Sequence, residues 1–235
     1  YPRHRGLLQA QIEALSAACG THRAAVHEVW QGLQPLRAQL AALDRLSWET
    51  GQVQGRENFP RRGPVLVACS HASFLDPIIA GMASPRILCY LARDTLFRPP
   101  LKWLINHLFA YPISRDSSDL RALRTAEELL KKDQVVLLFP EGTRSPDGRI
   151  GSFKPGIGML AARTGTPAIP VYIKGTFDSW PRTRSFPRPA RLKVFFGPPL
   201  TAVDYERVSK NSVGYRQIAE ELEKRVKRLE NQSAL

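Results

Sequence analysis

The sequence predicts an α/β domain, a mostly buried mixed sheet flanked by helices, preceded by an N-terminal helical segment. Three features point that way. Short runs of consecutive apolar residues have the length of strands, helix-periodic stretches separate them, and Gly, Pro and Asp punctuate the joins. Residues 7–47 are rich in Leu, Ala and Gln at helical spacing, interrupted at Gly20 and Pro35, which predicts two or three helices. Their apolar face, with Leu33, Leu36, Leu40 and Leu43, has two readings: it packs on the domain, or it lies on lipid. This divides the chain into a helical segment at 1–52, with membrane association left open, and a domain at 53–235.

Within the domain, Val65-Leu66-Val67-Ala68-Cys69 reads as a buried strand, and Ile87 to Ala92 and Tyr111 to Ser114 as weaker ones. Asp119 to Lys132 is a helix, with Leu120, Leu123, Ala126, Leu129 and Leu130 along one side. Val135 to Phe139 is a second buried strand. Gly156 to Thr164 is a helix, Ala168 to Ile173 and Leu192 to Phe196 are strands, and Val213 to Leu229 is the last helix. The unusually apolar stretch Leu96 to Pro112, with Trp103, Leu104, Ile105, Leu108 and Phe109, fits a buried helix or a lipid-facing surface. His107 there has no carboxylate at a useful spacing and reads as structural.

Composition narrows the class. Of 235 residues, 43% are hydrophobic, enough for a real core. Lys and Arg number 34 against 21 acidic residues, for a net charge of +13. Residues 1–52 hold five basic and four acidic side chains, so nearly all of that excess lies in 53–235. Such a surface suits anionic partners: nucleic acid, anionic lipid or phosphorylated substrates. No nucleic-acid motif accompanies the charge, so no nucleic-acid partner is expected; a non-catalytic basic nucleic-acid binder stays as a distant alternative. Cys19, Cys69 and Cys89 have no metal-like spacing and read as buried thiols in a reducing compartment. No run of 18 apolar residues occurs, so membrane contact is expected to be peripheral. The first residue is Tyr1 rather than Met, which leaves room for an upstream segment or anchor.

Two constellations carry chemistry, each directly after a strand, where α/β folds expose reactive side chains. The first is Ser70-His71-Ala72-Ser73-Phe74-Leu75-Asp76-Pro77. A neutral His71 can take a proton from a hydroxyl near neutral pH, and Asp76 could accept its other N–H, fix the tautomer and stabilise the imidazolium. Ser73-x-x-Asp76 is equally a capping box ahead of a helix, and the two readings are compatible. The second is Phe139-Pro140-Glu141-Gly142-Thr143-Arg144-Ser145. Gly142 permits a tight turn, Arg144 offers a fork for phosphate or carboxylate, and Glu141 can orient Arg144 or hold a substrate hydroxyl. A surface turn with a weak Arg–Glu pair is the bland alternative.

Together, His-x4-Asp and Phe-Pro-Glu-Gly-Thr-Arg, about 70 residues apart, resemble the glycerolipid acyltransferase family of the bacterial 1-acylglycerol-3-phosphate acyltransferase (PlsC) type. Val53-Gln54-Gly55-Arg56-Glu57-Asn58 with Pro60 looks like its entry segment. Arg115 after Pro112-Ile113-Ser114 is similar to its second motif. Phe153-Lys154-Pro155-Gly156 and Ile169-Pro170-Val171-Tyr172-Ile173 resemble later regions, and Phe196-Gly197-Pro198-Pro199-Leu200 its closing element. Ser70 stands where Asn is common, and Ala110 where Gly often opens the second motif.

The resemblance implies a transfer of a fatty acyl group from acyl-CoA or acyl-carrier protein, as co-substrate, to the free hydroxyl of lysophosphatidic acid, giving phosphatidic acid. Glycerol 3-phosphate and other lyso-lipids also occur as acceptors in the family. It makes His71 the general base with Asp76 as its partner, without an acyl-enzyme. It places Glu141, Gly142 and Arg144 at the acceptor's glycerol-phosphate, adds Arg115 as a second phosphate ligand, counts Thr143 and Lys154 among the substrate-binding residues, and puts Pro170 on the acyl-chain or donor side. It asks for no metal and no cofactor. The partners it implies are a lysophospholipid, the acyl carrier and an anionic membrane surface, on the cytoplasmic face of a membrane. The basic stretch of Arg182, Arg184, Arg188, Arg191 and Lys193, with Trp180 and Phe186, reads either as a solvated loop or as a contact for anionic headgroups.

Overall fold

The computed structural model describes residues 53–93, 110–113 and 119–233. Contacts divide the chain after Arg45, and every described residue belongs to the second part, Leu46–Leu235. The helical expectation for 1–52, the apolar stretch from Leu96 to Phe109, His107 and Arg115 lie outside the described residues.

In chain order the elements are β1 (Val53–Gln54), a 3-10 turn (Arg56–Asn58), β2 (Val65–Cys69), α1 (Asp76–Ala83), β3 (Leu88–Arg93) and β4 (Ala110–Ile113). They continue with α2 (Asp119–Lys131), β5 (Val135–Leu138), α3 (Gly156–Thr164), β6 (Ala168–Lys174), α4 (Thr176–Ser179), β7 (Lys193–Phe196), α5 (Ala202–Glu206) and α6 (Ser212–Ser233). The strands form one seven-stranded sheet in the order β1-β7-β6-β2-β5-β3-β4. It is mixed, as expected: β2, β3, β4, β5 and β6 run parallel, while β7 pairs antiparallel with β6 and parallel with β1.

β2 is buried along its whole length because both faces of the sheet are covered, which explains its unbroken apolar run. Leu66 and Ala68 face one core, shared with Leu130 of α2, Leu160 of α3 and Leu222 of α6. Val65, Val67 and Cys69 face the other, with Ile79 and Ala80 of α1 and with Phe59. The long helix runs past the predicted end at Leu229 to Ser233, whose carbonyl accepts Lys174 Nζ at 2.5 Å. Glu221–Arg225 and Glu223–Lys227, each four residues apart, brace its flanks.

The approach of α3 to α6 is close enough to exclude a side chain. A Cβ at Gly158 would lie 1.9 Å from the carbonyl oxygen of Tyr215, which is backbone and cannot swing away. Gly158→Ala should therefore destabilise the fold by about 3 kcal/mol through overpacking, lowering Tm by roughly 6–12 °C for a domain of this size. Thermal unfolding of the two proteins checks this.

Candidate active site

The site follows from sheet register. β2 and β5 are adjacent and parallel, with Val65 opposite Val135 and Ala68 opposite Leu138. Carried past the strand ends, the same register sets His71 beside Glu141. The backbone N–H of His71 donates to Glu141 Oε1 at 2.8 Å, and the His71 carbonyl accepts from Ser145 N at 2.7 Å. The two constellations are thus fastened at one residue, through the N–H and the carbonyl of His71. Glu141 Oε2 accepts from Gly151 N at 2.8 Å, tying the following loop to the same carboxylate.

The imidazole is held as firmly as its backbone. Asp76 is 1% exposed, and its Oδ2 accepts from His71 Nδ1 at 2.9 Å and from the backbone N–H of Ala72 and Ser73, each at 2.7 Å. An oxygen already accepting two backbone N–H groups accepts from the ring too, so Nδ1 carries the proton and Nε2 presents its lone pair. The ring stacks on Phe139, centroids 3.9 Å apart and planes at 19°, and stays 18% exposed. The capping reading is half realised: Ser73 Oγ accepts from Leu75 N, but the residue at the helix cap is Leu75, which makes no side-chain cap bond. Asp76 begins α1 and fastens the ring from the same position, so the helix start and the His–Asp pair are one feature.

Cys69, Ser73 and Ser145, near the ring, are otherwise engaged. Burial above all, then the charges of Asp76 and Glu141, push the Cys69 thiol well up. Ser73 Oγ donates to the Trp180 carbonyl at 2.7 Å, and Ser145 Oγ donates to Asp147. Among the described residues no serine or cysteine hydrogen-bonds the free ring nitrogen. The arrangement can therefore deprotonate a hydroxyl brought from outside.

The second constellation builds the surroundings. Gly142 sits at φ +75°, and a Cβ there would meet Lys154 Cε at 2.7 Å, so the lysine lies across this glycine. Lys154 N donates to the Pro140 carbonyl at 2.9 Å. The Arg144 guanidinium carbon lies 3.5 Å from the centre of the Phe74 ring, and Phe74 leans on Trp180 at 5.2 Å. Each Glu141 oxygen accepts one backbone N–H. Burial raises its pKa above the usual carboxylate value, against the pull of those two hydrogen bonds.

A cavity of about 300 Å³ opens beside the ring, lined among others by His71, Glu141, Arg149, Tyr172 and Lys174. Desolvation pushes the Tyr172 phenol up to about 12, so it stays protonated. Thr143 borders a neighbouring cavity of about 370 Å³, which Glu141 and Arg149 also line. Pro170 lines neither; it is buried within β6, paired with Ala68, its ring against Gly197. Arg149, Lys174 and Phe74 escaped the sequence reading. The Ser-Pro-Asp-Gly turn before Arg149 was the available signal for the first; the place of Lys174 depends on β6 lying parallel beside β2, which no local sequence signal carries.

The chain resembles known proteins along the same stretch. A family model described as Acyltransferase matches residues 51–174. The 1-acyl-sn-glycerol-3-phosphate acyltransferase of Bacillus subtilis is 27% identical over 185 residues, covering 77% of this chain and 88% of that protein. That of Pseudomonas aeruginosa is 31% identical over 154 residues, covering 64% of this chain and 59% of its own. The chloroplastic enzyme of that name from Brassica napus is 36% identical over 128 residues, 53% of this chain; the chain spans only 37% of that longer protein. Among solved structures, the 1-acyl-sn-glycerophosphate (LPA) acyltransferase PlsC of Thermotoga maritima superposes with a TM-score of 0.67 at 25% identity, covering 100% of this chain and 99% of that one.

The raised Glu141 pKa has a stability consequence. A carboxyl whose folded pKa exceeds its unfolded value favours the folded state when protonated, and that advantage is lost as pH rises through the folded pKa. Wild type should gain stability relative to Glu141→Gln on acidification from neutrality toward the ordinary carboxyl value of 4.5. Denaturant midpoints of both proteins across that range test the sign.

Proposed function

The chain belongs to the Acyltransferase family, and on that premise we propose that it transfers a fatty acyl group from a thioester carrier to the free hydroxyl of 1-acyl-sn-glycerol 3-phosphate, giving phosphatidic acid. The observation that carries this reading is the His71–Asp76 pair, anchored at its backbone by the Glu141 loop. The names of the Bacillus, Pseudomonas and Thermotoga relatives support the choice of acceptor.

In this mechanism the acceptor hydroxyl lies against His71 Nε2 and gives up its proton as its oxygen attacks the thioester carbonyl. The C–O bond forms, the C–S bond breaks, and the imidazolium returns the proton to the leaving sulfur. Asp76 stabilises the imidazolium and prevents the ring from turning. The step balances with the two substrates and these side chains alone. The acceptor's phosphate is met by Arg144 and Lys154 around the turn at Gly142 and Thr143, and Arg115 is a second candidate ligand. Arg144 approaches as a planar fork whose face is already packed on Phe74, so little side-chain freedom is lost on binding. Acyl-CoA and acyl-carrier protein both present the required thioester. Peripheral association with the cytoplasmic face of a membrane completes the reading, and among the described residues no helix is long and apolar enough to cross one.

Purified protein given lysophosphatidic acid with acyl-CoA, and separately with acyl-carrier protein, should form phosphatidic acid with at least one donor. His71→Ala should lower kcat by about 10²-fold or more, the scale of a lost general base. Arg144→Ala should act mainly on KM for the acceptor, by roughly 10- to 100-fold for a charged hydrogen bond of about 1.5–3 kcal/mol. Failure of both donors with every lyso-lipid would refute the reading.

A further inference from the structure

Between Asp178 and Asp204 the chain has no acidic residue and five basic ones, Arg182, Arg184, Arg188, Arg191 and Lys193. The acyl-transfer reading does not use this segment, which joins α4 to β7. It is a built loop. Trp180 Nε1 donates to the Arg184 carbonyl at 3.0 Å, Ser179 Oγ to the Arg188 carbonyl at 2.7 Å, and Arg188 N to the Ser179 carbonyl at 3.0 Å. The guanidinium groups of Arg184 and Arg188 donate to the Asp178 carbonyl at 3.0 and 2.8 Å. These partners are neutral, so they fix the loop without cancelling its charge. Among the described residues no carboxylate forms an ion pair with any of the five.

At the far end stands Phe186, 79% exposed, the most exposed of the large apolar side chains among the described residues. Arg182 and Arg191 are exposed as well and make no side-chain hydrogen bond among the described residues. The root of the loop is continuous with the candidate site. Ser73 Oγ bonds the Trp180 carbonyl, Ser73 bridges Pro181, and the Trp180 ring supports Phe74 beneath Arg144. Uncompensated cations around a solvent-facing phenylalanine match a bilayer boundary, where headgroups are anionic and an apolar layer begins a few ångströms below. A nucleic acid would use the same cations and could stack a base on Phe186, so RNA is an arm of the test.

We propose that residues 180–191 are a docking element for an anionic membrane surface, with Phe186 entering the apolar boundary and Arg182 and Arg191 meeting lipid phosphates. The choice of a lipid surface over another polyanion leans on the acyl-transfer reading, and the test separates the two. The full chain is co-sedimented with phosphatidylcholine vesicles, with and without phosphatidylglycerol, and titrated with RNA. Acyl transfer is measured in parallel on detergent-dispersed substrate.

Wild type should prefer the anionic vesicles, and salt should weaken the preference. Arg182→Ala with Arg191→Ala should lose about 30-fold in partition to them, from about 1 kcal/mol per basic residue at 1.4 kcal/mol per tenfold. Phe186→Ser should lose about tenfold, the scale of one partly buried phenylalanine. Both variants should turn over detergent-dispersed substrate at the wild-type rate. Partition of both variants within about twofold of wild type would overturn the proposal, since another segment would then carry membrane binding. So would a Phe186→Ser protein that binds vesicles normally while the arginine variant loses vesicles and RNA alike. Loop-dependent vesicle binding without any acyl transfer would leave the docking element standing and remove the acyl-transfer reading.

Discussion

The hydrogen bond from the His71 peptide N–H to Glu141 is the constraint on which the rest of the structure depends. It joins two loops whose origins lie 70 residues apart in the chain and one strand apart in the sheet. Asp76 orients the imidazole, and this bond, with that from Ser145 N to the His71 carbonyl, fixes it relative to the loop that carries Gly142, Arg144 and Lys154. With it, a proton acceptor and a set of cationic groups share one rigid floor, the paired ends of β2 and β5. Burial of both strands on both faces keeps that floor from shifting, because neither can slide without exposing Val or Leu side chains.

Charge is distributed to match. The carboxylates closest to the ring hold N–H donors: Asp76 Oδ2 accepts from the ring and from two backbone amides, and both Glu141 oxygens accept from backbone amides. The Arg144 guanidinium lies against the face of Phe74. A guanidinium stacked on an aromatic ring is oriented without loss of its charge. The same economy recurs in the loop after α4, where backbone carbonyls fix two arginines and leave their charge in place.

Much of this was legible in the sequence, and the illegible parts share a cause. Val65–Cys69 and Gly156–Thr164 were read to the residue, because an unbroken apolar run and a helix bounded by Pro155 and Gly165 are local signals. The strands at 88–93, 110–113 and 193–196 were read within a residue or so. Two-residue β1, four-residue α4 and five-residue α5 were missed, being too short to show a period. At the site, the spacing of His71 and Asp76 allowed both a catalytic pair and a helix cap, and the resemblance singled out the pair. The work of Glu141 was not legible, because it depends on which strand lies beside which, and register is a property of the whole sheet. Pro170 was expected near substrate on resemblance alone; its place inside β6, against Gly197, is likewise set by neighbouring strands.

The central claim is that Asp76 holds the His71 ring with the proton on Nδ1 and the lone pair on Nε2. Nitrogen-15 NMR of the imidazole at a pH where it is neutral tests this most directly. The account requires a protonated Nδ1 and a bare Nε2 in the wild type, with that preference lost in Asp76→Asn. A neutral wild-type ring carrying its proton on Nε2 would leave no base facing the cavity and would contradict the account.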